Sequence, residues 1–128
     1  MSILSGTLFT SIYNEGLSKL ALKIYSISYL YQTENPVLVL ACSGTGAMEA
    51  SIVNFLNTKS KILVINGGKF GQRWSQLAKA YNVDCIEYSL EWGTAPDVKE
   101  IENILSKNPE ITAVYTTLCE TSTATVYD

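Results

Sequence analysis

Between residues 37 and 117 the chain alternates short apolar runs with stretches of helical periodicity, and that alternation limits its fold more than any other feature. The runs are VLVLA at 37–41, KILVIN at 61–66, VDCIEYS at 83–89 and ITAVYTT at 111–117. VLVLA, unbroken and bounded by Pro36 and a Gly-rich turn, suits a strand covered on both faces. VDCIEYS is more amphipathic and suits an edge. A helix is predicted from about Thr45 to Asn57, its apolar face holding Met48, Ile52, Val53 and Phe55 or Leu56. Another is predicted over Gln72–Tyr81. A third enters at Pro96-Asp97 and runs through Lys107, with Val98, Ile101, Ile104 and Leu105 inward. Ahead of the first strand, Leu17, Leu20, Ala21, Ile24, Ile27 and Tyr31 share a helical face that Asn14 can cap and Asn35-Pro36 closes. Four strands separated by crossover helices are the pattern of right-handed βαβ units, hence an α/β fold with a mostly parallel sheet. Residues 1–128 fit one domain, and no repeat, low-complexity tract or linker divides them.

Composition removes several functions. A net charge of −3 and a single arginine, Arg73, argue against nucleic acid, which needs clustered cations. With no histidine, imidazole catalysis and His-ligated zinc are excluded within this chain. Cys42, Cys85 and Cys119 are widely spaced and odd in number, as expected of reduced thiols rather than a disulfide framework or a metal site. No apolar run approaches the length of a membrane span, and MSILSGTLF lacks a basic segment followed by a sustained apolar one. The expectation is a cytoplasmic protein away from membranes. Only 16% of residues are charged, while eight Tyr and two Trp add amphipathic area, so part of the surface is expected to meet a partner or further chain.

In parallel sheets ligands gather beyond the carboxyl ends of strands, and three loops qualify. Ser43-Gly44-Thr45-Gly46 opens a helix: its glycines allow close approach, its amides and dipole favour an anion, and its hydroxyls suit a phosphate monoester. A plain turn with Thr45 as the helix cap explains the same residues. It is neither GxGxxG, since Glu49 occupies the third glycine position, nor a P-loop. In the second loop, NGGKFGQRW at 66–74, Phe70 between two glycines is placed for stacking or, alternatively, as a hydrophobic staple. Arg73 is expected to bond a strand-end carboxylate or carbonyl, and Trp74 to lie in the core. In the third loop Thr121 can donate to a ligand oxygen or simply form a Ser/Thr turn.

Taken together, SGTGAMEA at 43–50, NGGKFGQRW at 66–74, Glu91-Trp92-Gly93 and ETST at 120–123 resemble the class V aminotransferases of the fold-type I pyridoxal-phosphate enzymes. Alanine–glyoxylate and serine–pyruvate aminotransferases, with hydrogenase-subunit-like cousins, are the nearest in appearance, and the resemblance runs from about Tyr13 to Asp128. It implies that the chain is the incomplete, amino-terminal part of the large cofactor-binding domain. It further implies that Ser43, Gly44, Thr45 and Gly46 hold the phosphate of pyridoxal 5′-phosphate, that Phe70 lies against the ring, and that Thr121 reaches the ring's 3′-oxygen. Glu120 is expected to brace its loop. Ala124 departs from the family's usual glycine.

The family's Schiff-base lysine and the acid beside the pyridine nitrogen lie downstream of the ETST stretch, and no lysine here occupies that position. The implied function is therefore a partial pyridoxal-phosphate-dependent aminotransferase for small amino acids and 2-oxo acids, with no catalytic residue or metal of its own and inactive alone. A stand-alone α/β module binding a phosphorylated ligand or a partner chain is the alternative. The resemblance also implies a homo-oligomer, or a complex with the remainder of the enzyme, using the Leu17–Tyr31 helix. It places the strand at 37–41 at the sheet's edge, separated from the other three.

Overall fold

The computed structural model describes residues 27–39 and 41–127. They fall into two compact units, divided between Ala41 and Cys42. In the first, residues 27–30 are helical, and the chain leaves the helix through Gln32, at φ 50°. The remainder of the helix expected from Asn14 lies outside the described residues.

The strand expected at 37–41 is not formed over residues 37–39 and 41; Leu40 lies outside the described residues. A strand exists only through a ladder with a neighbour, and no described strand pairs with this run. Apolar character supplies the faces of a strand but not its hydrogen-bonding partner.

The second unit carries α1 (Gly44–Phe55), β1 (Lys61–Asn66), α2 (Lys69–Ala80), β2 (Asp84–Ser89), α3 (Val98–Lys107) and β3 (Ile111–Tyr115). A hairpin of β4 (Cys119–Glu120) and β5 (Thr125–Val126), absent from the sequence-based expectation, follows them. The main sheet has the order β2-β1-β3 and is wholly parallel. Central β1 alternates its side chains between faces. Ile62 and Val64 join Ile52 of α1 and Ala78 of α2 on one side, with Trp74, Leu77 and Tyr115 packed against them. Leu63 and Ile65 meet Tyr127 on the other, covered by Ile101, Ile104 and Leu105 of α3. Two covered faces explain the unbroken apolar sequence of β1. Half-buried β2 takes the edge its amphipathic pattern predicts.

Two helix faces differ from expectation. In α1 only Ile52 is fully buried, with Leu56 beside the core, while Val53 and Phe55 are exposed. Residues four apart share a helical face, so Ile52 with Leu56 turns Val53 and Phe55 away. Val98, the first residue of α3, is also exposed.

Helix α2 starts at Lys69, three residues earlier than expected, which draws Phe70 and Gly71 into its first turn. It ends in a Schellman motif. Asn82, at φ 55°, donates its amide to the Lys79 carbonyl (3.2 Å), and Val83 donates to Ala78 (2.9 Å). Placing β3 across β1 from β2 reverses the strand order there, and the segments that follow β1 and β3 meet at that reversal.

Candidate functional site

The first candidate loop caps α1. Ser43, rather than Thr45, is the N-cap: its backbone is extended and its Oγ accepts the Gly46 amide at 3.4 Å. The Ala47 amide closes the first turn on the Ser43 carbonyl (3.2 Å). Ser43 and Gly44 are exposed, Thr45 and Gly46 half-buried, and a side chain at Gly44 would meet open space. No acid lies in this first turn. The helix end thus keeps exposed amides and positive dipole character without a carboxylate of its own.

The amino end of α2 is built in the opposite way. Glu120, fully buried, reaches across from the hairpin: Oε2 accepts the Gly71 amide at 2.8 Å and Oε1 the Phe70 amide at 3.3 Å. Oε1 also takes the amide of Ser122 (3.3 Å) and its hydroxyl, and Ser122 Oγ in turn accepts the Lys69 amide at 2.9 Å. Burial alone would push the Glu120 carboxyl upward. The Ser122 hydroxyl, then the Gly71, Phe70 and Ser122 amides, outweigh it and hold the group below the usual carboxylate range. Glu120 is therefore the brace its sequence position suggested.

The glycines of this loop are needed for space. Gly68 is extended, at φ 171°, a conformation open to any residue, but a Cβ there would lie 2.6 Å from the Glu120 side chain and 2.5 Å from Ser122 Oγ. One at Gly71 would lie 2.9 Å from the Asn66 Cα, and one at Gly67 would overlap the Tyr127 hydroxyl. The Asn66 side chain closes the turn, accepting from the Gly68 amide (3.3 Å) and donating to Glu87 (2.7 Å).

The start of α2 also touches the remaining loops. Arg73 Nη1 donates to Thr45 Oγ1 at 2.6 Å, so its partner is a hydroxyl of the first loop and not the strand-end acceptor expected. Lys69 Nζ stands 5.4 Å over the Trp92 ring, a cation–π contact with the loop after β2. Trp74 joins the core margin, its indole N–H on Thr117 (3.3 Å) and its ring 4.8 Å from that of Tyr115.

Lys69, Phe70, Gly71 and Arg73 thus link Thr45, Trp92, Glu120 and Ser122. Phe70 stays 40% exposed, and Thr121 is exposed in the hairpin turn with its hydroxyl in no hydrogen bond among the described residues. Ala124 closes that turn at φ 55°, the region where glycine carries no penalty. Sequence reasoning missed Arg73 and Ser122 as connectors. The available signal was the lone arginine of the chain, set in the helix that follows the Gly-rich loop.

No protein-family model matches the chain. It is 41% identical over 105 residues to the soluble hydrogenase 42 kDa subunit of Anabaena cylindrica, across 80% of this chain and 27% of that protein. It is 43% identical over 86 residues to an uncharacterized aminotransferase of Helicobacter pylori, across 67% of this chain and 23% of the other. In structure it is similar to alanine–glyoxylate aminotransferase from Nostoc sp., with a TM-score of 0.77 and 27% identity over 91% of this chain and 31% of that one. The chain thus spans about a quarter to a third of the length of the relatives it matches, and its α/β fold is that of a segment of an aminotransferase. Among the described residues no helix is long and apolar enough to cross a membrane.

Proposed function

From kinship with the class V aminotransferases over part of their length, we propose that these 128 residues supply the phosphate-holding and ring-facing loops of a pyridoxal-phosphate-dependent aminotransferase. The observation that carries the reading is the meeting of all four motif stretches at the first residues of α2. The donor set fits the cofactor. The amides of exposed Gly44 and half-buried Thr45, the hydroxyls of Ser43 and Thr45 and the guanidinium bonded to Thr45 suit a phosphate, with the Gly46 amide beside them on its long bond to Ser43 Oγ. Phe70 offers a half-exposed ring and Thr121 an exposed hydroxyl.

In this reading residues 1–128 form one partial domain that binds and orients. Ser43–Gly46 would anchor the phosphate through amides and hydroxyls, Phe70 would exclude water from one ring face, and Thr121 would donate to the 3′-oxygen. Pyridoxal phosphate, when bound, supplies the electron-withdrawing ring that allows an amino group to pass between carbon skeletons. By resemblance, the lysine that moves the proton lies in a part of the enzyme these residues do not match. The chain alone is accordingly a binding element, and small amino acids and 2-oxo acids are substrates of the assembled enzyme, as a homo-oligomer or with its remaining part.

Binding tests this directly. Titrated into the purified chain, with Trp fluorescence as the readout, pyridoxamine phosphate should bind at least roughly tenfold tighter than pyridoxamine, since charge-assisted bonds to phosphate are lost with it. Equal affinities would overturn the proposal.

A further inference from the structure

We propose that Glu120 is a positioning residue for the cofactor ring, its buried carboxylate fixing Phe70 and Thr121 as one unit so that the two ring contacts are gained or lost together. The inference rests on the pyridoxal-phosphate reading above. It goes beyond that reading by giving a role to the one fully buried acid among the described residues, which faces no substrate.

Glu120 grips both sides. Through Oε1 it holds the amide of Phe70, and through Oε2 the next amide along α2. It is joined through its own peptide bond to Thr121, and Oε1 holds the amide on the far side, that of Ser122. Thr121 is therefore pinned between two residues of one hydrogen-bonded cluster, and Phe70 stands on the amide that the same oxygen accepts. Ser122 Oγ ties in Lys69 as well. A shift of the turn cannot leave Phe70 in place without breaking these bonds, and none of them includes the first loop at Ser43–Gly46. The group must be a carboxylate. It faces three amides and a hydroxyl, all able to donate, whereas a glutamine in its place would turn an NH2 toward donors.

The test separates ring from phosphate. Pyridoxamine phosphate, read by its own fluorescence, probes both; inorganic phosphate, read by competition, probes Ser43–Gly46 alone. In the wild-type chain pyridoxamine phosphate should bind more tightly. E120Q should weaken pyridoxamine phosphate by roughly tenfold and inorganic phosphate by less than about twofold. In the E120Q background, F70A and T121V should each add little to that loss, although each weakens the wild-type chain. Equal weakening of both ligands would reduce Glu120 to a general structural role, and unchanged binding of both would remove any role; either overturns the inference. Should E120Q lack a cooperative unfolding transition, S122A carries the same comparison, with a smaller loss confined to pyridoxamine phosphate expected and a uniform or absent loss overturning it. A wild-type chain that binds pyridoxamine phosphate no better than inorganic phosphate would instead sink the functional reading on which this rests.

Discussion

Two helices in one unit begin behind glycine-containing turns and treat the same electrostatic problem in opposite ways. Every helix leaves its first amides unpaired and its amino end positive. At α2 the chain answers from within: Glu120 and Ser122, contributed by a hairpin about fifty residues away, take the amides of Lys69, Phe70 and Gly71. At α1 a single long bond from Ser43 takes one amide, and Arg73, a cation, is the long-range partner of Thr45. A cation beside a positive helix end is the wrong sign for capping and the right sign for an anion supplied from outside. A Gly-rich turn ahead of a helix is thus no sufficient sign of a binding site, because the fold fills one of the two itself.

The contrast can be broken hardest at the filled end. Removing the carboxylate with E120A leaves buried donors without an acceptor and should cost about 3 kcal/mol, seen as a lower urea midpoint. A loss no larger than that of a surface substitution would mean that water replaces Glu120 there.

Acid sharpens the same point. The carboxyl of Glu120 is held low in the folded chain. Its contribution is therefore complete above the unfolded glutamate value of about 4.3 and is lost as pH falls through the lower folded value. Glu87 and Glu110 are held low too, Glu87 chiefly by Ser75 and Glu110 chiefly by Lys61. The measurement is accordingly the difference in stability between wild type and E120Q, which should shrink below about pH 4. A difference independent of pH would show that the ionised form is not what is bound.

At the open end, S43A should cost only about 0.5–1 kcal/mol, since the cap bond is long, and the cost should be the same at pH 7 and pH 4. A cost rivalling that of E120A would erase the distinction between the two helix ends. The smallest effect is expected in the hairpin. A124G relieves a left-handed alanine against a gain in unfolded-state freedom, for a net stabilisation of about 0.5 kcal/mol by thermal unfolding. Destabilisation would mean that the alanine methyl makes a contact worth more than its strain.

The three strands of the parallel sheet were legible because each carries its own pattern: two covered faces make β1 apolar throughout, and β2 is amphipathic. The run at 37–41 has the same apolar signature as β1 yet forms no strand over the described residues 37–39 and 41, because pairing depends on a neighbour that local sequence does not encode. The α2 boundary was misread for a related reason. The helix predicted from Gln72 leaves Gly68 and Gly71 outside it, whereas they make room for Glu120 and for the backbone of β1, and the helix starts between them. Phosphate-loop candidates could be named from glycines and hydroxyls alone. What linked them could not, since Arg73 to Thr45 and Lys69 to Ser122 are contacts across 28 and 53 residues.

The long reach of the α2 cap also orders events during synthesis. Gly71 meets its acceptor 49 residues later in the chain, so at roughly 5–20 residues per second the amino end of α2 waits several seconds for Glu120 to be made. Until then its amides, destined for burial, have only water, and Gly68 leaves a gap that only Glu120 and Ser122 will fill. The α1 turn, whose cap lies within three residues, can close as soon as it emerges. The nascent chain should therefore acquire its open helix end early and its filled one last, and a ribosome stalled before residue 119 should hold a protease-sensitive segment at 66–71.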